Sequence, residues 1–270
     1  MKARAKKTGV IIPTKILGKY RRLKKILKSL DSVLVALSGG VDSSLLLKAA
    51  EESLDGRVMA AVIKSPIFYP EEMETARKIA RKLGVRLKVI ESDDYLSEEF
   101  RKNEVLRCYY CKMLLFKRLK KLAKSQGLAT VVEGSNLDDE FDFRPGKKAL
   151  KELGIRSPLR EAGLKKAEIR LLARAFGLTN WNWPSNACLA TRIPFGQPIE
   201  LKWLRKISRA EHFLKSLGFS QVRVRHHGEI ARLEVWPEDI FLVLKPEIRL
   251  KINRRLKNLG WRYVTFDLEG

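Results

Sequence analysis

The sequence predicts an α/β fold, in which a parallel sheet carries helices on both faces, followed by a small C-terminal α+β domain. Short apolar runs alternate with helical segments as far as about residue 180, which is typical of parallel strands joined by helices. From about residue 197 the order changes to a helix, two strands, a helix and a last strand. We therefore expect two domains, residues 1–196 and residues 197–270.

The first domain begins with a basic segment in which apolar residues recur at helical spacing, and this spacing predicts an amphipathic helix. An apolar run before a Gly-Gly turn then predicts a buried strand. Three helices and three further strands alternate after it. In chain order the predicted elements are a helix through Ile16, Leu17, Tyr20, Leu23, Ile26, Leu27 and Leu30, strand 33–37, helix 44–52, strand 58–63, helix 70–83, strand 87–90, helix 112–125 and strand 129–133.

The second domain follows a stretch with two prolines and a glycine, residues 194–198, which indicates a linker. Its first helix is expected to end at a glycine, Gly218. The predicted elements are helix 200–217, strands 221–225 and 231–236, helix 246–259 and strand 262–266.

The composition excludes several classes of protein. With 270 residues, of which 45% are hydrophobic and 32% charged, the chain can bury a sizeable core and is not a disordered tail. It has no apolar run long enough for a membrane span, and its basic start is followed only by Val10, Ile11 and Ile12, too few for a signal-peptide core. We expect a soluble cytoplasmic protein without a membrane partner.

The net charge of +24 is concentrated at the amino terminus, where residues 1–30 hold eleven lysines and arginines and no acidic residue. Such a segment could bind nucleic acid or another polyanion. The apolar residues between these cations favour instead the solvated face of an amphipathic helix. A nucleic-acid partner is therefore possible through this segment but is not the favoured interpretation.

The strongest motif is Ser38-Gly39-Gly40-Val41-Asp42-Ser43-Ser44, between a predicted strand and a predicted helix. Two glycines allow a tight turn close to an anion, the start of a helix presents unpaired N–H groups, and the serines add hydroxyl donors. The motif lacks the lysine of a Walker A loop. It predicts a phosphate cradle.

Three cysteines are the second chemical feature. Cys108 and Cys111 form a C-x-x-C motif and Cys188 stands alone, so the three cannot all pair as disulfides and suit a reducing compartment. Nearby cations, Arg107, Lys112 and Arg192, would favour the thiolate forms. Three thiolates are one ligand short of a closed zinc site, or they could hold a 4Fe–4S cluster with one iron open to sulfide or substrate.

The SGGVDSS motif after a buried strand resembles the pyrophosphatase loop (PP-loop) of ATP-dependent adenylating enzymes such as GMP synthetase and argininosuccinate synthetase. The resemblance implies an adenine nucleotide alpha hydrolase-like fold for residues 1–196. It also implies that ATP is bound by Ser38, Gly39, Gly40, Asp42 and Ser43. It also implies Mg²⁺, an ion that prefers oxygen ligands. The segment Gly134-Ser135-Asn136-Leu137-Asp138-Asp139 is similar to the second element of these enzymes, and Asp42 and Asp138 are the candidate Mg²⁺ ligands. Taken alone, Asp138-Asp139 could equally cap a helix.

The segment PSNACLATRIPFG, at residues 184–196, narrows the resemblance when taken with SGGVDSS, RCYYCK, the Arg144-Pro145-Gly146 turn and Arg223-Val224-Arg225. Together these motifs resemble the LarE-type sulfur transferases of nickel-pincer nucleotide biosynthesis. The resemblance implies adenylation of a carboxylate of pyridinium-3,5-biscarboxylic acid mononucleotide and its conversion to a thiocarboxylate. One branch of the family sacrifices the cysteine that matches Cys188, and another holds a 4Fe–4S cluster on the matches of Cys108, Cys111 and Cys188. Since all three are present, we favour the cluster branch.

The small domain is expected to bind the phosphate of the substrate. Arg223 and Arg225 are two residues apart on a predicted strand, so they share a face and could grip a phosphate, although such a pair could also be ordinary charge on an exposed strand. The resemblance implies this role for both arginines, and it further implies phosphate ligands at Lys112, Thr191 and Arg192 and acidic, metal-binding residues at Glu211 and Glu234.

Two other functions remain open at the level of sequence. A tRNA-thiolating enzyme would share the ATP loop and the three cysteines, and the basic amino terminus would bind RNA phosphates. A non-catalytic iron–sulfur or nucleic-acid-binding module is the third possibility, against which the intact loop argues. Under the favoured hypothesis we expect a small mononucleotide substrate, a carboxylase and a nickel-inserting enzyme as pathway partners, and a homo-oligomer that the small domain helps to assemble.

Overall fold

The computed structural model describes residues 2–4, 9–141 and 145–269, and of residues 2–4, 140 and 141 the backbone alone. The cations Lys6 and Lys7 of the basic amino terminus and Arg144 of the Arg-Pro-Gly turn lie outside the described residues. The elements in chain order are β1 (Lys2–Arg4), β2 (Ile11–Pro13), α1 (Thr14–Lys28), β3 (Val33–Ala36), α2 (Val41–Glu51), β4 (Val58–Lys64), α3 (Pro70–Lys82), β5 (Leu87–Glu91), α4 (Glu98–Arg101), α5 (Arg107–Ser125), β6 (Thr130–Val132), α6 (Gly146–Glu152), α7 (Pro158–Glu161), α8 (Lys166–Ala175), α9 (Leu201–Ser216), β7 (Val222–His227), β8 (Ile230–Val235), α10 (Ile240–Leu244), α11 (Pro246–Asn258) and β9 (Tyr263–Phe266).

The chain forms two compact units. The first comprises Met1–Ser65, Pro70–Asp94 and Cys108–Asn186, and the second comprises Pro66–Tyr69, Tyr95–Arg107 and Ala187–Gly270. The second unit therefore draws two short segments from the first half of the chain. The division after residue 196 stays a prediction.

The first unit is built on a four-stranded parallel sheet in the order β5-β4-β3-β6. Parallel strands need crossover connections, which α2, α3 and α5 provide. The first three residues of β3, Val33, Leu34 and Val35, are fully buried because the strand lies between two neighbours and under helices on the sheet. The predicted α/β class with a parallel sheet is confirmed.

The basic N-terminal segment forms helix α1, as the apolar spacing predicts. Its apolar stripe, with Tyr20, Leu23 and Leu27, is buried in a core shared with α2, the sheet and α8. The lysines and arginines between these residues stay at the surface, where Lys19 pairs with Glu168 of α8 at 2.7 Å. Burying the stripe removes apolar surface from water and holds the helix against the domain.

The second unit has a three-stranded sheet in the order β7-β8-β9, with β7 antiparallel and β9 parallel to β8. Residues along β7 alternate between the two faces, so Val222, Val224 and His226 point inward while Arg223 and Arg225 point outward. Helix α9 packs on β7 through buried residues such as Leu204 and Ile207. The predicted small α+β unit is confirmed.

Two helices begin earlier than predicted. Helix α2 starts at Val41 instead of Ser44, because the chain turns into the helix directly after Gly40. Helix α5 starts at Arg107 instead of Lys112, so the C-x-x-C motif lies in its first two turns. No helix in the described ranges is long and apolar enough to cross a membrane.

Candidate active site

The SGGVDSS loop lies at the carboxyl end of β3, where the parallel sheet changes direction. On one side of β3 is β4, the next strand along the chain, and on the other is β6, which the chain reaches only after completing β5. Open α/β sheets bind ligands outside the carboxyl ends of strands at such a switch point. The location therefore suits the phosphate cradle that the motif predicts.

Hydrogen bonds within the loop fix its shape. The Ser43 hydroxyl accepts from the Ser38 N–H at 3.2 Å and donates to the Gly40 carbonyl at 3.1 Å. Gly40, the residue before α2, has no side chain to cap the helix, so the first N–H groups of α2 remain available to an anion.

Gly39 lies against the start of α3. It has a φ of +85°, and a Cβ atom on it would lie 2.1 Å from the Glu72 carbonyl oxygen. Only glycine fits a position that combines a left-handed backbone with such close contact.

The segment after β6 approaches the same loop. A Cβ on Gly134 would lie 2.9 Å from the Ser43 nitrogen, so the absence of a side chain lets this backbone contact the first turn of α2. Beyond it, Asn136 forms a tight turn in which its side chain accepts from the Asp138 N–H at 2.9 Å. The two predicted nucleotide-binding segments are thus neighbours.

Asn180 stabilises the loop from behind, a role that no sequence signal indicates. Its side chain is fully buried and donates to the Gly39 carbonyl at 2.7 Å and to the Ser44 hydroxyl at 3.0 Å. A buried amide with two such bonds holds the backbone of the turn rigidly.

Of the predicted Mg²⁺ ligands, Asp42 fits the role of a metal ligand best. One of its oxygens accepts from Lys166 of α8, and the other is buried without a hydrogen-bond partner. Burial raises the pKa of Asp42 above its usual value, while Lys166 opposes the rise and the nearby Asp139 adds to it. An unpartnered carboxylate oxygen beside a phosphate cradle fits Mg²⁺, which takes one or two carboxylates together with substrate phosphates.

Asp138, the other predicted Mg²⁺ ligand, makes a different contact. Its carboxylate accepts from the Lys166 N–H at 2.8 Å, at the first residue of α8. Capping of this kind satisfies an unpaired helix N–H. Asp139 accepts from the Asn136 N–H at 2.9 Å.

The three cysteines lie in both units. Cys108 and Cys111 are half-buried in the first two turns of α5, three residues apart and so on neighbouring positions of one helix face. Cys188 immediately precedes a single 3₁₀ turn, Leu189–Arg192, in the second unit. The pair on α5 fits two of the thiolate ligands that a cluster needs.

Across the ranges that the structure describes, no group of three or more His, Cys, Asp or Glu side chains is gathered at a single metal-binding position. The predicted cluster on all three cysteines stays a prediction.

The outer face of the small sheet carries a cationic cluster. Arg225 binds Glu234 through two bonds of 2.8 Å, Arg232 binds the same carboxylate at 2.8 Å, and Arg223 lies 3.8 Å from it. Burial would raise the pKa of Glu234, but the hydrogen bonds and charges of Arg225 and Arg232 lower it below its usual value. Three cations around one anion leave a net positive charge on this face. Arg232 was not among the residues predicted from the sequence.

Glu211, Thr191 and Arg192 lie inside the second unit. Glu211 is fully buried and pairs with Arg192 at 2.8 Å. Lys112, in the first unit, lies over Gly146, where a Cβ would come within 2.8 Å of its Cδ. The roles assigned to these residues from resemblance stay predictions.

Comparisons with known proteins include two relatives that match the chain over more than nine-tenths of its length. The family model for asparagine synthase matches residues 21–109, which include the SGGVDSS loop. A pyridinium-3,5-bisthiocarboxylic acid mononucleotide synthase of Lactiplantibacillus plantarum is 42% identical over 93% of this chain and 91% of its own. An uncharacterized protein of Synechocystis sp. is 38% identical over 94% of both chains. An argininosuccinate synthase of Methanothermobacter thermautotrophicus is 25% identical over 56% of this chain and 41% of its own.

Proposed function

The chain belongs to the LarE-type family of ATP-dependent sulfur transferases, and from this premise we propose that it converts a carboxylate of pyridinium-3,5-biscarboxylic acid mononucleotide into a thiocarboxylate. The observation that carries the proposal is the 42% identity with a synthase of the bisthiocarboxylic product over nearly the full length of both chains. The phosphate cradle at the switch point of the sheet supports the use of ATP.

Activation by ATP solves the chemical difficulty of the reaction. A carboxylate is a poor electrophile because it would have to expel oxide. Attack of its oxygen on the α-phosphorus of ATP releases pyrophosphate and leaves AMP as a good leaving group on the acyl carbon. Sulfur then attacks that carbon and expels AMP, so that one difficult step becomes two easier ones.

The residues of the loop bind the phosphates in this proposal. Ser38, Gly39, Gly40 and Ser43 hold the pyrophosphate part of ATP, with the N–H groups at the start of α2 facing its charge. Asp42 contributes its unpartnered oxygen to Mg²⁺. The ion, when bound, neutralises charge that develops on the phosphates.

The source of sulfur has two candidates. In the first, Cys108, Cys111 and Cys188 hold a 4Fe–4S cluster, which when bound supplies sulfide from an open iron. In the second, Cys188 itself gives up its sulfur and becomes dehydroalanine. The mass of the protein after turnover distinguishes them, since loss of one sulfur at Cys188 contradicts the cluster and an unchanged mass under multiple turnover supports it.

The substrate phosphate is proposed to bind the cationic face of the small sheet. Arg223 and Arg225 lie on this face with Arg232 beside them, and arginine forks match the geometry of phosphate oxygens. Lys112 is proposed as a further cation for the same phosphate, and Glu234 as the acidic residue that orients the arginines.

Thiolation of tRNA is the second candidate, favoured by the net charge of +24. The decisive experiment measures pyrophosphate release by anaerobically purified protein, reconstituted with iron and sulfide and given ATP with either the biscarboxylated mononucleotide or bulk tRNA. Stimulation by the mononucleotide supports the proposal. Stimulation by tRNA alone would overturn it.

The cellular setting follows from this chemistry. Three cysteines, an odd number that cannot all pair as disulfides, suit a reducing compartment, so we place the protein in the cytoplasm, with a carboxylase that makes its substrate and a nickel-inserting enzyme that uses its product. A homo-oligomer is the expected assembly, supported by the exposed Phe241, Leu244 and Leu250 of the small domain. Light scattering, which gives the molar mass in solution, measures the oligomeric state.

A further inference from the structure

A buried cluster in the second unit, formed by Tyr69, Arg192 and Glu211, lies beside the turn that carries Cys188. We refer to these three residues as the Arg192 network. All three are almost completely buried, with exposures of 4%, 2% and 0%. A buried ion pair persists only when its remaining donors and acceptors are also satisfied.

Every donor of Arg192 has an internal partner. Its Nε donates to Glu211 at 2.8 Å, and its Nη2 donates to the Tyr69 hydroxyl at 2.7 Å and to Glu211 at 3.4 Å. Its Nη1 donates to the Thr191 hydroxyl at 2.8 Å and to the Ala187 carbonyl at 3.4 Å. Since guanidinium has five N–H donors, none is left for a substrate phosphate.

Glu211 is saturated in the same way. One oxygen accepts from Arg192 and from the Val224 N–H at 2.9 Å, and the other accepts from Arg192 and from the Tyr69 hydroxyl at 2.6 Å. Two hydrogen bonds at each oxygen use the lone pairs that a metal ion would need. The carboxylate instead ties α9 to β7 and fixes the guanidinium.

Thr191 connects the network to the cysteine. Its hydroxyl accepts from Arg192 and donates to the Cys188 carbonyl at 2.8 Å, and its N–H donates to the same carbonyl at 3.0 Å. Arg192 also reaches the carbonyl of Ala187, the residue on the other side of Cys188. The backbone is therefore held both before and after the cysteine.

We propose that Tyr69 and Glu211 are positioning residues, which act through Arg192 and Thr191 to fix the Cys188 turn for the sulfur-transfer step. The inference rests on the proposed function for its catalytic consequence. It replaces the phosphate-binding role for Arg192 and the metal-binding role for Glu211 with an internal one.

Tyr69→Phe is the sharpest test, because it removes one hydroxyl and keeps the ring. The matched control is Tyr20→Phe, which removes a buried hydroxyl bonded to Glu52 at 3.0 Å in the first unit. Hydrogen–deuterium exchange of a peptide covering residues 187–193 should become at least about fivefold faster in Tyr69→Phe and stay unchanged in the control. An unchanged exchange rate in Tyr69→Phe would overturn the proposal.

The catalytic consequence has its own readout. In Tyr69→Phe the thiocarboxylate formed per pyrophosphate released should fall at least about fivefold, with the KM for ATP unchanged, because the turn acts after adenylation. If thiocarboxylate and pyrophosphate fall by the same factor, or if neither falls, the positioning role is contradicted. If the wild type makes no thiocarboxylate, the proposed function has failed, and the exchange measurement still decides whether the network holds the turn. Glu211→Gln keeps the shape and loses the charge, and should show the same effects more strongly if it folds.

Discussion

At Gly39 a single missing side chain determines how the ATP loop packs. The Glu72 carbonyl occupies the space that a Cβ would need, so the loop and the start of α3 fit together only with glycine. The same residue has its carbonyl bound by Asn180. Both contacts fix the loop before any nucleotide arrives.

Gly39→Ala should reduce pyrophosphate release by about 100-fold, because the displaced loop would no longer align the phosphates. Gly56→Ala is the matched control, since Gly56 has a φ of +82° but nothing within 4 Å of its Cβ position. The control should lower the free energy of unfolding by about 1–2 kcal/mol through its backbone conformation and leave the rate unchanged. Equal rates for the two variants would show that the close contact is unimportant.

Asp42→Asn tests the proposed Mg²⁺ ligand. The amide keeps the size of the side chain but loses the charge, so the Mg²⁺ concentration for half-maximal pyrophosphate release should rise by about tenfold or more. Asp31→Asn, which alters an exposed ion pair with Arg57, serves as the control and should change nothing. A normal Mg²⁺ requirement in Asp42→Asn would remove this carboxylate from the metal site.

At the scale of elements, strand β7 presents two chemically different faces. Its outer face carries the arginines, and its inner face carries His226. The imidazole lies between two tryptophans: its ring centroid is 4.2 Å from that of Trp203 on α9, and its Nδ1 accepts from Trp261 Nε1 at 3.0 Å. Burial, and then the charge of Lys206, lower the pKa of His226 to about 4 from 6.5. The neutral imidazole is thus part of the packing between helix and strand.

The stability of the protein should therefore depend on pH through His226. Below pH 6.5 the unfolded chain takes up a proton that the folded chain refuses until about pH 4, so the contribution of this residue is complete at neutral pH and is lost as the pH falls through that window. His226→Asn keeps an acceptor for Trp261 and should reduce the loss between these pH values by about 2–3 kcal/mol. Urea unfolding at several pH values measures it, with the exposed His212→Asn as control.

The outer face of the small sheet gives a second prediction, at Arg232 of the neighbouring strand β8. Arg232→Ala should raise the KM for the mononucleotide by about tenfold while the KM for ATP stays constant, because the variant removes one cation near the proposed phosphate site. Arg262→Ala breaks an exposed pair with Glu229 and should leave both constants unchanged. A rise in the KM for ATP instead would show that Arg232 contributes to ATP binding and would contradict its role at the substrate phosphate.

Strands and amphipathic helices were largely predictable from the sequence, because alternation and helical spacing are local signals. Helices α4, α6, α7, α8 and α10 were not predicted, and all of them except α8 have seven residues or fewer. At the site, the loop could be predicted from its motif. Asn180, Lys166 and Tyr69 could not, since each acts on residues more than 100 positions away, and no local pattern marks such partners.

At the scale of the whole molecule, the distribution of charge explains why a strongly basic chain need not bind RNA for its function. The cations of α1 alternate with residues that its core requires, including Leu23 and Leu27, both fully buried. The charge of this helix is therefore compatible with a structural role at the surface of the first unit.

Bulk tRNA should accordingly bind weakly and in a strongly salt-dependent way, without stimulating pyrophosphate release. Deletion of residues 1–8 removes Lys2, Arg4, Lys6 and Lys7 and should reduce both the affinity and its salt dependence, because fewer counterions are released. Filter binding across salt concentrations measures this. Binding that resists salt would indicate specific RNA recognition and favour the thiolation of tRNA.

The second unit combines early and late segments of the chain, and this constrains when the unit can fold during synthesis. Tyr69 leaves the ribosome 142 residues before Glu211, its hydrogen-bond partner, and the early segments 66–69 and 95–107 belong to a unit whose remainder starts at Ala187. Domains generally form as their chain emerges, yet this one has to wait until the segment from Ala187 onward has been synthesised. The first unit can therefore complete its sheet during synthesis, while two of its connecting segments await the carboxyl-terminal part of the chain.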